Sequence, residues 1–260
     1  MRRLLIIFTA AAMLAGCKIE EGQSFEPTKI GSTLATNFNS SVYKDIGYIA
    51  TLWAFRGYLQ AETDEERTAI QDRYFYNSRI VKRDDYTWQI IAGSTLTVQT
   101  NDNTLAEAGD LWRMTRGTDN ENYTTTITLL ETPEGEPERL SFESKYIYYS
   151  QRTHMETECT VSKEEDKAGF RIELLSGSGL YFRRNDSYYR FQIITPLECS
   201  YNGGDRAIFD KGRIKFSYNS SDLLYTPEVE YCDEFTFIVY GGKDNAYEKS
   251  YSWYGNWWWY

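Results

Sequence analysis

Apolar positions near the N-terminus of the chain follow a helical period. Val42, Ile46, Ile49 and Trp53 are spaced at i, i+4, i+7 and i+11 within residues 40–59. In an α-helix this spacing places the four side chains on one face. The pattern therefore predicts an amphipathic helix whose apolar face packs on the rest of the protein.

A second helix is predicted directly after a capping motif. In the run Thr63-Asp64-Glu65-Glu66, the Thr63 hydroxyl can accept the Glu66 amide N–H while the Glu66 carboxylate reaches back to the first residue. Asp64 and Glu65 favour the positive end of the helix. The helix is expected to run to about Tyr74.

From Ile80 onward the period of the apolar positions changes to two. Runs of alternating, β-branched or aromatic residues are separated by Gly, Asn and Asp, and this pattern predicts strands. No long helical pattern lies between the runs, so a mainly β body is expected, an antiparallel β-sandwich or barrel-like fold preceded by two α-helices. The runs cover residues 87–91, 94–100, 123–130, 140–149, 170–175, 188–195, 213–218 and 235–240.

Two segments of the β region resemble each other at a constant offset. In residues 90–98 and 174–182, Gly93 aligns with Gly177, and both segments have apolar runs around a Gly-Ser pair followed by Asn-Asp. A duplication is one interpretation, and recurrent turn chemistry is the other. We predict five segments, which are a leader over residues 1–16, a tether over 17–39, a helical segment over 40–78, a first β unit over 79–165 and a second β unit with an aromatic last strand over 166–260. Under a duplication the two β units would be related.

The first residues have the pattern of an export signal. Arg2 and Arg3 precede an uncharged run over residues 4–14, which is too short to cross a bilayer and is typical of a signal peptide over residues 1–16. The quartet Leu14-Ala15-Gly16-Cys17 resembles the lipobox of bacterial lipoproteins. The resemblance implies that Cys17 is acylated, palmitate being a typical chain, and anchors the protein to a membrane.

The residues after Cys17 add a prediction about location. Lys18-Ile19-Glu20-Glu21 resembles the surface-export signal of Bacteroidetes lipoproteins. This resemblance implies a cell outer membrane protein that is exposed at the surface, and an inward-facing lipoprotein is the alternative. The polar residues up to 39 are expected to form a tether.

Composition and charge exclude several partners. Aromatic residues make up 16% of the 260 residues, so most of the chain is expected to fold. The 38 acidic residues exceed the 28 basic ones, and this balance argues against nucleic acid. The single histidine, His154, shares a strand face with Glu156 and Glu158, which is expected to be a solvated face rather than a metal site. We assign no metal and no cofactor.

If Cys17 is lipidated, three other cysteines remain, so they cannot all form disulfides with one another. Cys159, Cys199 and Cys232 permit one disulfide in an oxidising compartment, or three reduced thiols. His154 and Cys159 fall on opposite strand faces, which argues against a Cys–His nucleophile. No G-x-S-x-G, P-loop or dinucleotide motif occurs in the sequence, so we expect a protein without enzymatic activity.

The aromatic residues carry the functional hypothesis. The C-terminal Trp253, Trp257, Trp258 and Trp259 are predicted to form either a ligand platform or a buried last strand. We expect a non-catalytic surface binding module for a glycan or a partner protein. The alternatives are a structural accessory subunit of an outer-membrane surface complex and a glycoside hydrolase with a carboxylate pair.

Overall fold

The computed structural model describes twelve segments of the chain. They are residues 25–92, 94–102, 104–117, 121–131, 137–148, 151–163, 169–183, 187–201, 209–220, 223–233, 236–241 and 246–252. The leader, the lipobox with Cys17 and the aromatic tail over residues 253–260 lie outside the described residues.

Two helices precede the strands, as predicted. They are α1 (Phe25–Gln60) and α2 (Asp64–Tyr74). The capping box before α2 is confirmed: the Glu66 amide N–H donates to the Thr63 hydroxyl at 3.2 Å, and the Thr63 amide N–H donates to the Glu66 carboxylate at 3.3 Å. Neither helix has an apolar stretch long enough to cross a membrane within the described chain.

The first helix begins earlier than the sequence pattern indicated. Residues 25–39, predicted as a tether, form its first turns instead. The cause is tertiary packing, because Leu34, Ala35 and Phe38 are fully buried against the sheet, and packing supplies most of the stability of a helix in a protein. Polar residues separate these apolar positions, so the overall composition of the segment did not indicate a helix with a buried face.

The strands form one antiparallel sheet, which confirms the mainly β prediction. Thirteen strands follow one another in order from β1 to β14, and β11 pairs only with β10. Their bounds are β1 (Arg79–Lys82), β2 (Thr87–Ala92), β3 (Ser94–Thr100), β4 (Leu111–Gly117), β5 (Glu121–Glu131), β6 (Glu138–Tyr148), β7 (Gln151–Lys163), β8 (Phe170–Arg183), β9 (Ser187–Tyr201), β10 (Phe209–Ser220), β11 (Leu223–Tyr225), β12 (Glu228–Tyr231), β13 (Thr236–Gly241) and β14 (Tyr247–Ser252).

The sheet curves around α1. Thirteen strands at about 4.8 Å spacing would span nearly 60 Å if flat, whereas a helix with its side chains is only about 10–12 Å wide. Nevertheless α1 contacts strands from both halves of the sheet: the Phe55 ring lies 5.8 Å from that of Trp88 on β2, and α1 also packs against β13 and β14. The concave face therefore holds the helix and the core.

Strand alternation separates a buried inner face from a charged outer face. On β7, Thr153, Met155 and Thr157 are buried, while Glu156 is exposed, as the period of two predicted. The outer face is crossed by ion pairs between neighbouring strands, for example Lys211 to Glu198 at 2.8 Å.

The two segments that resemble each other adopt different structures. Residues 90–98 belong to the hairpin of β2 and β3, whereas residues 174–182 lie in the single strand β8. Just before the Gly-Ser pair, β8 has a β-bulge, where the register to β7 shifts between Leu174 and Ser176, and Gly177 has a φ of +147°. The strands β7 and β8 pair across the predicted unit boundary near residue 165, so the sheet is continuous there.

Candidate functional site

A cleft opens between α1 and one rim of the sheet. Its volume is about 670 Å³, which is in the range of small-molecule pockets. One wall comes from the helix and is formed by Tyr43, Lys44, Gly47, Tyr48 and Thr51. The other wall comes from the sheet and is formed by Ser94, Thr95, Arg116, Gly117, Tyr123 and Tyr146. We call this feature the tyrosine cleft.

The helix wall follows from residue spacing along α1. Lys44, Gly47, Tyr48 and Thr51 are spaced at i, i+3, i+4 and i+7, so they share one face of the helix. At 100° per residue, this face is opposite the one that carries Ile46 into the core. A long helix at the centre of the sheet thus presents its polar face to the cleft.

The sheet wall is a cross-strand row on the inner face. On β4, alternation places Arg116 on the same face as the buried Met114, but at the strand end, where it is exposed. Arg116 pairs with Tyr123 on β5, and Tyr123 pairs with Tyr146 on β6. Residues paired directly across strands have neighbouring side chains, so the row continues from a cation into two phenol rings.

Three tyrosine rings from three elements meet in the cleft, where the ring of Tyr123 contacts those of Tyr48 and Tyr146. The ring centroids of Tyr48 and Tyr123 are 4.6 Å apart, and those of Tyr123 and Tyr146 are 5.9 Å apart. All three side chains are half-buried. They form a continuous aromatic surface, and tyrosine rings combine an apolar face with a polar edge, which suits a ligand with both apolar faces and polar groups.

A buried carboxyl group behind the cleft holds Tyr123 in place. The hydroxyls of Tyr123 and Tyr181 both donate to the Asp45 carboxylate. Burial raises the pKa of Asp45 above its ordinary value, and hydrogen bonds from Tyr123, Tyr181 and Ser144 partly oppose that effect. Burial, together with the charge of Asp45, also raises the pKa of Tyr123. The phenol of Tyr123 is therefore a neutral donor anchored to the core.

The two cations of the cleft have no ion-pair partner among the described residues. Lys44 and Arg116 are both exposed, and no ion pair of the described chain includes either of them. By contrast, Arg139, Arg171 and Arg213 of the sheet are each paired with an acid on a neighbouring strand. The described lining of the cleft contains no carboxyl group.

The residues singled out in the sequence lie elsewhere or outside the described chain. Cys17 and the tail residues Trp253, Trp257, Trp258 and Trp259 are outside it, and their roles stay predictions. No cluster of three His, Cys, Asp or Glu side chains that could hold a metal ion occurs in the described part of the chain.

The three remaining cysteines are free thiols. Cys159 and Cys199 are buried and Cys232 is exposed. Cys159 lies on β7 and Cys199 on β9, with β8 between them, so their Cα atoms are at least about 9–10 Å apart, beyond the reach of a disulfide. Burial raises the pKa of the Cys159 thiol to about 12, which makes it unreactive as a nucleophile.

Most cleft residues were missed in the sequence. Residues 42–53 were interpreted only through their apolar face, although the opposite face carries Lys44 and Tyr48 at i, i+4. Tyr123 and Tyr146 fell within predicted strands, but their pairing depends on the register of β5 with β6. The sequence signal that could have indicated the cleft was the polar face of α1, a helix whose other faces are buried.

Comparison with known proteins adds no family to these observations. No protein-family model, no curated protein and no solved structure matches the chain.

Proposed function

We propose that this protein is a lipid-anchored binding module of the cell envelope that holds a saccharide in the tyrosine cleft without cleaving it. The observation that carries the proposal is the continuous surface of Tyr48, Tyr123 and Tyr146 in a cleft of about 670 Å³. Saccharide rings have apolar faces that pack on phenol rings and hydroxyl groups that need polar partners.

The rest of the cleft supplies such partners. Thr51, Ser94 and Thr95 add hydroxyl groups to the lining. A hydroxyl group can both donate and accept hydrogen bonds, although that of Thr51 already donates to the Gly47 carbonyl oxygen at 2.7 Å. Tyr123 is fixed by Asp45, so little side-chain entropy is lost at that ring when a ligand binds. The cleft is thus suited to binding a polar ligand with flat faces.

The proposal also includes location and anchoring. Cys17 would carry the lipid, and the folded part of the chain would face outward from the outer membrane, where it could encounter saccharides. Protease treatment of intact cells tests this part, because an exposed body would be digested and full protection would contradict surface display. We further propose that the tail with Trp257 is a second aromatic surface for the ligand. A barrel-like closure of the sheet around α1 is proposed as the architecture that supports the cleft.

Calorimetric titration of the full chain with a panel of polysaccharides and mucin glycans tests the binding function. We expect saturable binding, no release of reducing ends, and a loss of about tenfold or more in affinity for Tyr48→Ala or Tyr146→Ala, which is about 1.4 kcal/mol. The control is Tyr76→Ala, because Tyr76 is 78% exposed and lies outside the cleft.

The same titration separates the alternatives. Release of reducing ends would indicate a glycoside hydrolase, whose two carboxyl groups lie roughly 5–10 Å apart. No binding to any saccharide would overturn the proposal. Envelope proteins that co-purify with the chain would then favour an accessory subunit of a surface complex.

A further inference from the structure

The geometry points to a negatively charged saccharide, one that carries a carboxylate, as the ligand of the tyrosine cleft, with Lys44 and Arg116 as the residues that determine this specificity. The inference rests on the proposed function and narrows its ligand class. It starts from the contrast between the charge of the cleft and the charge of the whole chain.

The chain as a whole repels anions, yet the cleft attracts them. The net charge is −10 at pH 7, and several cations on the outer face of the sheet are paired with acids on neighbouring strands, as Arg139 is with Glu158 and Arg171 is with Glu198. The described lining of the cleft has two cations and no carboxyl group. A concave site with charge of one sign attracts ligands of the opposite sign.

The two cations come from opposite walls of the cleft. Lys44 lies one helical turn before Tyr48 on α1, and Arg116 pairs across strands with Tyr123. A saccharide stacked on the tyrosine rings would therefore have a cation from the helix and a cation from the sheet beside it. Arginine forms two parallel hydrogen bonds with a carboxylate and lysine acts as a point charge, so both residues are of types that bind an acid group.

Asp45 offsets the charge of Lys44 only in part: burial raises the pKa of its carboxyl group, and the charge of Lys44 opposes this effect more weakly. Although it is next to Lys44 in sequence, its side chain is buried and accepts hydrogen bonds from Tyr123 and Tyr181. It therefore faces the core rather than the cleft. Within the described part of the chain, neither exposed cation has an ion-pair partner that would compete with a ligand.

The test compares acids with their own neutral esters. The full chain in mild detergent is titrated by calorimetry with trisaccharides of galacturonate, glucuronate and mannuronate, and with the methyl ester of each. We expect at least one acid to bind tenfold or more tightly than its ester, and we expect that difference to shrink between 20 mM and 500 mM salt, because exposed charges are screened.

Charge-removing variants assign the effect to the two residues. Arg116→Gln and Lys44→Gln should each weaken binding of the acid about fivefold to tenfold and change binding of the ester less than twofold, while Arg116→Lys should restore part of the loss. The matched control is Arg113→Gln, which removes one charge from the same strand, β4, on its outer face and should leave both affinities unchanged.

Each outcome bears on one of the two proposals. Equal binding of acid and ester, or binding of neutral panel saccharides alone, would overturn the charge specificity and leave the saccharide function standing. An effect of Arg113→Gln as large as that of Arg116→Gln would also overturn it. No binding to any saccharide would overturn the proposed function itself.

Discussion

At the scale of single residues, Asp45 is an unusual feature of the helix. Its carboxyl group is buried inside a curved sheet, where an isolated charge would be costly. Tyr123 and Tyr181, which come from two distant strands, supply hydrogen bonds to it. Because Tyr123 also lines the cleft, one carboxyl group links the packing of α1 to the geometry of the candidate site.

The protonation of Asp45 predicts a pH dependence of stability. Its pKa is raised by burial, so the stability that it contributes is complete below about pH 4, the ordinary carboxyl value, and is lost as pH rises through the raised pKa. Relative to Asp45→Asn, the wild type should lose up to about 1.4 kcal/mol per pH unit in that window. Urea unfolding of both proteins between pH 4 and 8 measures this difference.

The exposed variant Asp72→Asn controls for the loss of one surface carboxyl group. If the stability curves of wild type and Asp45→Asn run parallel across the whole range, the protonation of Asp45 does not differ between the folded and unfolded states. The interpretation of the buried network would then be wrong.

At the scale of elements, α1 is held at a defined position along its axis. Near its middle, the Tyr231 hydroxyl donates to the Asn39 side chain at 2.7 Å. Near its end, Arg56 donates to the Leu105 carbonyl oxygen and pairs with Glu138. Buried polar contacts of this kind have directional requirements that apolar packing lacks, so they favour one register of the helix against the strands.

Two glycines of α1 test how closely the helix approaches the sheet. A Cβ atom at Gly31 would overlap Val239 on β13, whereas one at Gly57 would make an ordinary contact with Ile70 at 3.8 Å. We expect Gly31→Ala to lower the free energy of unfolding by about 1–3 kcal/mol through overpacking. We expect Gly57→Ala, the matched control, to raise it by roughly 0.5–1 kcal/mol through helix propensity.

Thermal or urea unfolding of the two variants measures these opposite effects. Equal effects of the same sign would mean that the start of α1 does not pack closely against β13. Residues 25–39 would then behave as the tether that composition suggested.

At the scale of the whole molecule, one core joins both halves of the sheet. The Phe38 ring of α1 lies 5.0 Å from that of Phe191 on β9 and 5.8 Å from that of Phe209 on β10, while Phe55 of the same helix reaches Trp88 on β2. No other helix of the described chain has this role, because α2 has no buried residue. The helix therefore makes the strands energetically dependent on one another.

This arrangement predicts a single unfolding transition. Tryptophan fluorescence and far-ultraviolet circular dichroism should follow the same urea curve, and Phe38→Ala should shift both by the same amount, with a loss of about 3–5 kcal/mol. Two separated transitions would contradict the prediction and would favour independent units at residues 79–165 and 166–260.

Local patterns in the sequence were enough to predict the classes of the elements. The capping box before α2 and the alternation along β7 involve residues within a few positions of each other, so short-range geometry alone determines them. The same reasoning predicted the core face of α1 at Val42 and Ile46, both of which are fully buried. The antiparallel order followed from the absence of helical patterns between the strands.

Tertiary structure decided the features that join distant residues. The start of α1 depends on Leu34 and Phe38 packing against strands much later in the chain. The composition of residues 25–39 contains no information about such long-range contacts. The cleft likewise brings Tyr48 of a helix onto Tyr123 and Tyr146 of two strands. A sequence pattern states which face a side chain occupies, but the curvature of the sheet and the register of its strands determine which faces meet.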